Sequence, residues 1–317
     1  MAESKVAANR ENFVNMVIES LDKGKIPWQK DWNESSCEMC MTNPVTGTKY
    51  KGVNNFRLLV TSIIKEYEDN RWVTFKQASD NGWHIKKGEK GTPIEIFKFY
   101  DKSTKKDLDM RMYNALKPEE QSKYFSENVY VVIKNYTVFN AQQIDGMPTQ
   151  ELKQKIQPEY TKIDKIIENC GVPVHHQGTQ AFYSAKRDVI YLPEKSAFLS
   201  ESGYYATALH EIIHSTGHES RLNRDLSGKF GTKSYAMEEL RAEFGSVYIG
   251  MEKGLNYNYE NNIAYIQSWS EILKNDKNIL FTTWKDGEKA AKMVLNYEYG
   301  KSKEKQQSKV VDKGIEI

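Results

Sequence analysis

Cysteine is scarce in this chain, with three among 317 residues. So small and odd a number builds no disulfide framework and suits a reducing cytoplasm. Long apolar runs are missing too: nowhere do about eighteen apolar residues follow one another, which excludes a helical membrane span. The N-terminal segment mixes charge throughout and lacks the apolar stretch of a secretory leader. Charge of one sign is also lacking. A net charge of +2 creates no global field for nucleic acid, so any basic surface must be local. These absences describe a soluble, cytoplasmic protein without a membrane partner. What is present is 12% aromatic residues in a chain long enough for two domains, which argues for folded structure rather than disorder.

One stretch carries chemistry on its face: His210-Glu211-Ile212-Ile213-His214. Residues four apart share a helix face, so His210 and His214 can offer their imidazoles to one cation. Glu211 projects beside them, where a carboxylate can take a proton from a metal-bound water as general base. Tyr204, Tyr205, Ala208, Leu209, Ile212 and Ile213 supply an apolar stripe to hold the helix in a core, and Gly217 fits a left-handed helix end. A two-histidine site needs a third protein ligand to leave one position open. On a straight helix His218 lies too far along to share the ion, although Gly217 ends the helix and lets His218 turn toward it as a lesser alternative. Glu239 and Glu243, four apart on an apolar helix, are costly to bury without a cation or donor. Glu239 as ligand and Glu243 orienting a ligand imidazole would satisfy both. Surface pairing with Arg221, Arg224 or Arg241 is the alternative.

Periodicity divides the chain near residue 150. The first part reads as helices around Phe13–Leu21 and Asn54–Tyr67, then strands at Trp72–Phe75, Ile94–Tyr100 and Val129–Phe139 with a long charged loop between the last two. The second part reads as helices at about 159–169, 201–216, 234–250, 260–274 and 284–297, with one strand at Asp188–Pro193. Beyond Gly300 little is left to bury, and residues 301–317 read as a disordered tail.

Residues 71–106 hold nine Lys and Arg against four Asp and Glu, interleaved with Trp72, Phe75, Trp83, Phe97, Phe99 and Tyr100. Basic groups to track phosphates and aromatic faces to stack bases compose a single-strand binding surface, although a charged face over an ordinary aromatic core has the same composition.

Taken in order, Ile26-Pro27-Trp28, Asn43-Pro44-Val45-Thr46-Gly47, Tyr50-Lys51-Gly52-Val53-Asn54, Trp72 to Ala78, Lys87 to Gly91, Asp188 to Pro193, the HEIIHSTGH stretch and Tyr235 to Leu240 resemble the ArdC-type antirestriction proteins of conjugative plasmids and related mobile elements. The resemblance covers about residues 10 to 297. It implies an α+β architecture: a small single-stranded-DNA-binding domain at 1–150, then a mainly helical zincin-like metallopeptidase domain of gluzincin type at 151–300. One zinc ion, or another divalent ion, would be held by His210, His214 and Glu239, with Glu243 behind a ligand. Tyr235 is the candidate oxyanion donor. Trp28, Tyr50, Asn54, Trp72 and Lys76 would contact DNA together with Lys86, Lys87 and Lys90 of the basic turn. The implied partners are single-stranded DNA and a host restriction or DNA-bound protein as substrate; a DNA-binding protector with a structural or vestigial metal site is the alternative. Cys37-Glu38-Met39-Cys40 departs from the family pattern and reads as two reduced thiols.

Overall fold

The computed structural model describes residues 2–29, 40–149, 159–255 and 263–300. The tail, residue 150, Trp32 and Cys37 lie outside the described residues.

The apolar spacing from Phe13 to Leu21 becomes the buried side of α1 (Ala2–Asp22), whose Phe13, Val14, Val17, Ile18 and Leu21 all lie in the core. Phe56, Leu58, Leu59 and Val60 likewise bury α2 (Gly52–Ile64). Between these helices, Asn43 folds a tight turn by accepting the N–H groups of Val45 and Thr46, and Gly47 takes the left-handed conformation (φ 69°) that closes it. This turn joins β1 (Thr42–Asn43) to β2 (Thr48–Lys49).

A three-stranded antiparallel sheet follows in the order β3 (Trp72–Thr74), β6 (Val129–Asn140), β5 (Thr92–Asp101). Strand β3 ends one residue short of Phe75, because Thr74 caps α3 (Phe75–Asp80) in a reciprocal box with Gln77. A further short pair joins β4 (His84–Ile85) to β7 (Ile144–Asp145). The charged interval between β5 and β6 is not a loop. Asp109 caps α4 (Met110–Ala115), Pro118 opens α5 (Pro118–Asn128), and Leu108, Tyr113 and Val129 form a small core of their own.

The second sheet has the order β8 (Val174–His176), β10 (Val189–Leu192), β9 (Phe182–Ser184), with β8 parallel and β9 antiparallel to the centre. Only β10 carries an apolar run visible in sequence; its neighbours are three-residue strands held by pairing. Around this sheet pack α6 (Tyr160–Asn169), α7 (Glu201–Ser215), α8 (Lys233–Lys253), α9 (Ile263–Asn275) and α10 (Asn278–Asn296). Helix α10 starts earlier than its sequence spacing suggests because Ile279 and Leu280 are also buried. Its Gly287 lies against Gly245 of α8; a Cβ on Gly287 would stand 2.8 Å from the Arg241 carbonyl oxygen and 2.9 Å from the Gly245 nitrogen. The two backbones touch, and only glycine permits it.

One core runs through both halves. Phe56 stacks on Trp284 at 4.1 Å, Trp28 meets Phe244 at 4.8 Å and Trp269 at 5.8 Å, and Phe13 lies 6.2 Å from Phe281. The sequence boundary near residue 150 therefore does not separate two independent cores.

Candidate metal centre

Ser200 caps α7 by accepting the Gly203 N–H, and the helix then presents His210, Glu211 and His214 toward α8, which Thr232 caps in the same way. Gly217 just beyond α7 does not adopt the left-handed conformation its position suggests. It is glycine for space: a Cβ there would meet Leu226 at 2.8 Å and an Arg224 nitrogen at 3.0 Å.

His210, His214 and Glu239 come together, each with a donor atom within 4.8 Å of the others. The Nε2 atoms of His210 and His214 are 3.1 Å apart, while Glu239 carboxylate oxygens lie 3.5 Å from His210 Nε2 and 3.6 Å from His214 Nε2. Two imidazole lone pairs at that separation repel unless a proton or a cation lies between them. Burial opposes charge on His214, yet Glu239 and Glu238 hold its imidazolium well above the ordinary histidine value. Glu239 is itself held below the usual carboxylate range, since His214 and His210 overcome the burial that would raise it. Two imidazole nitrogens and one carboxylate suit a divalent ion, so the residues fit the metal that the sequence motif implies. His218 stands apart, its Nδ1 2.8 Å from the Ser220 hydroxyl.

Each ligand imidazole has a carboxylate behind it. Glu243 Oε2 lies 3.9 Å from His210 Nδ1, and Glu238 Oε1 lies 3.2 Å from His214 Nδ1. The sequence singles out Glu243, whereas Glu238 looks like an ordinary polar helix position. Arg224 grips Glu238 bidentately, at 2.6 and 3.0 Å. At His214 the Glu238 carboxylate within hydrogen-bond reach of Nδ1 favours the tautomer whose lone pair is on Nε2, while Glu243 faces His210 Nδ1 from beyond direct hydrogen-bond distance.

Glu211 is buried, and burial raises its pKa, against the pull of the neighbouring His214 and His210. The Tyr235 hydroxyl is 3.0 Å from that of Tyr265. Burial and Glu239 push Tyr235 far above the ordinary phenol value, so it remains a neutral O–H donor. Tyr265 is a second residue that sequence reasoning missed; it sits thirty positions away on α9, with no spacing to link the two. These side chains line a cleft of about 330 Å³ bordered by Ala181, Phe182 and Tyr183.

The expected DNA contacts divide sharply. Trp28 and Trp72 are 1% and 0% exposed, core residues whose faces are covered by protein and cannot stack bases. The Tyr50 hydroxyl donates to the Trp72 carbonyl, and burial pushes its pKa up to about 12. Asn54 clamps the edge of β5, accepting the Glu95 N–H at 2.8 Å and donating to the Glu95 carbonyl at 2.6 Å. Trp28 and Trp72 are thus core residues, while Tyr50 and Asn54 are half-buried and already engaged by protein groups. Lys76, Lys86, Lys87 and Lys90 are exposed, as are Phe75 (64%), Tyr130 and Tyr136. Cys40 is buried, its thiol directed at the Met251 carbonyl.

Residues 161–286 match the family described as a zincin-like metallopeptidase, and residues 7–139 match the N-terminal domain of anti-restriction factor ArdC. Solved structures of the antirestriction ArdC protein of a plasmid superpose with a TM-score of 0.67 at 31% identity. The metal-free form covers 92% of this chain and 97% of that one; the Mn(II)-bound form covers 91% and 97%. This chain belongs to the ArdC antirestriction family. Two DNA primase TraC proteins of Escherichia coli are 38% and 39% identical over 91% of this chain, which spans only 27% and 20% of their length. An uncharacterised protein of Sinorhizobium fredii is 30% identical over 86% of both chains. Among the described residues of this ArdC relative, no helix is long and apolar enough to cross a membrane.

Proposed function

We propose that this ArdC-family chain is a cytoplasmic antirestriction protein that grips single-stranded DNA with its first half and cleaves a DNA-associated or host restriction protein with its second. The observation that carries the enzymatic reading is the open cleft: among the described residues, His210, His214 and Glu239 converge beside buried Glu211 rather than closing a four-ligand structural site. The Mn(II)-bound relative supports a divalent ion, and zinc is our assignment for this donor set. Bound there, the ion would supply Lewis acidity, lowering the pKa of water and polarising a carbonyl.

The remaining roles fall to the chain. Glu211, kept from solvent, accepts the proton of the attacking water and passes it to the leaving amine. Tyr235 and Tyr265 place neutral hydroxyls where negative charge develops on the carbonyl oxygen. Strand β9 is an edge strand on the rim of the cleft, and an extended peptide can add to such an edge by main-chain hydrogen bonds.

The strand-binding surface is the exposed set Lys76, Lys86, Lys87 and Lys90, with Phe75 for stacking. Replacing the four lysines by serine should weaken single-strand binding and reduce the slope of log affinity against log salt. Unchanged binding would move the surface elsewhere. Glu211→Ala should abolish antirestriction while leaving strand and metal binding intact. Antirestriction that survives this change would make the protein a DNA-binding protector instead.

A further inference from the structure

We propose that Trp28 and Gln29, in the first half of the chain, are positioning residues of the metal centre and act on His210 through Glu243. This rests on the metal-site part of the reading above and is independent of peptidase activity.

Glu243 is 0% exposed, so its charge depends on the donors around it. Its Oε1 accepts from Trp28 Nε1 at 3.2 Å and from Gln29 Nε2 at 2.6 Å, and its Oε2 faces His210 Nδ1 at 3.9 Å. The donors come from more than two hundred positions away, just beyond α1. Trp28 cannot drift, because Phe56, Phe244 and Trp269 surround its ring within 6.2 Å.

The two ligand imidazoles are therefore set in different ways. The Glu238 behind His214 is held by Arg224 and Arg241 from its own half. The Glu243 behind His210 is held by two neutral N–H donors from the other half. Without them the buried carboxylate would turn toward other donors, and His210 would lose the carboxylate that faces its Nδ1. The ArdC-like first half thereby completes a site whose ligands all lie in the zincin-like half.

The test uses the full chain. Gln29→Leu keeps approximate volume, Trp28→Phe keeps an aromatic ring, and each removes one donor. Affinity for Zn(II) and Mn(II) would be measured by chelator competition, with the visible absorption of the Co(II)-loaded protein as a second readout. Each variant should lose about tenfold or more in metal affinity, the range seen for groups that orient ligands. The Co(II) spectrum should shift, because His210 is displaced. Adding Gln29→Leu to Glu243→Gln should cost little beyond Glu243→Gln alone, since both break one chain of contacts. A role confined to packing would lower the melting temperature and leave metal affinity and the Co(II) spectrum unchanged. That outcome, or losses that simply add to those of Glu243→Gln, would overturn the proposal. Should Trp28→Phe fold poorly, partly exposed Gln29 carries the test by itself. Failure of the wild-type chain to bind any divalent ion would contradict the metal site as well, whereas wild-type binding with unaffected variants would contradict only this inference.

Discussion

Carboxylates decide the behaviour of the site residue by residue. Three from one helix do three jobs: Glu239 faces both imidazole Nε2 atoms, Glu238 backs His214 and Glu243 backs His210. Glu238→Gln keeps the shape but weakens the acceptor at His214 Nδ1, and should lower divalent-metal affinity about 10- to 100-fold in a competition titration. Arg224→Ala should act in the same direction, since it releases Glu238. Affinity unchanged in both would remove Glu238 from the site. The convergence of His210, His214 and Glu239 was legible in the sequence because a repeat of four on an apolar helix is a geometric statement. Glu238 was not, because its role arises from Arg224 on a separate loop. Trp28 and Trp72 were read as base-stacking residues because composition does not separate a tryptophan over DNA from one inside a core. Their burial does.

At the level of elements, the helices follow from apolar periodicity and capping residues, and the pairing of β5 with β6 follows from two long apolar stretches. Strands β8 and β9 were hidden, being three residues each and ordered by their neighbour. So were α4 and α5, whose caps lie in a stretch that charge makes look like loop. The contact of α8 and α10 has a clear test. Gly287→Ala places a methyl group against backbone atoms of Arg241 and Gly245 that cannot step aside, and should cost about 1–3 kcal/mol in chemical denaturation. A second test lies where the sheet meets α1 and α2. Glu95, 0% exposed, binds Arg57 at 3.1 Å and Arg10 at 2.6 Å. Burial works to raise its pKa, but the two guanidinium groups hold it below the ordinary 4.5. Its contribution to stability is complete above that unfolded value and is lost as pH falls through the lower folded one. Glu95→Gln should cost about 3–5 kcal/mol near neutrality, and the wild-type advantage should shrink in acid.

For the whole molecule, the family pattern in the sequence indicated two functional halves, and it said nothing of how they join. The join is aromatic and buried: Trp28, Phe56, Phe244, Trp269 and Trp284 form one cluster drawn from both. Polar contacts on the surface repeat it, with Lys277 on Glu11 at 2.6 Å and Ser270 on Asp22 at 2.6 Å. The full chain should therefore unfold in one transition, with fluorescence and circular dichroism coincident. Residues 159–300 expressed alone should expose Phe244 and Trp284 and lack a cooperative transition. Two separated transitions in the full chain would indicate that the halves fold independently.

The central claim is a divalent-metal hydrolytic centre worked by Glu211 in a strand-binding protein. It is tested most directly by incubating a protein bound to single-stranded DNA with the metal-loaded wild type and with metal-loaded Glu211→Gln, and following peptide-bond cleavage. The account predicts cleavage by the wild type that a chelator abolishes, and a loss of about 10²-fold or more in Glu211→Gln at unchanged metal content. Equal cleavage by both proteins, or none by either while antirestriction persists, would contradict it.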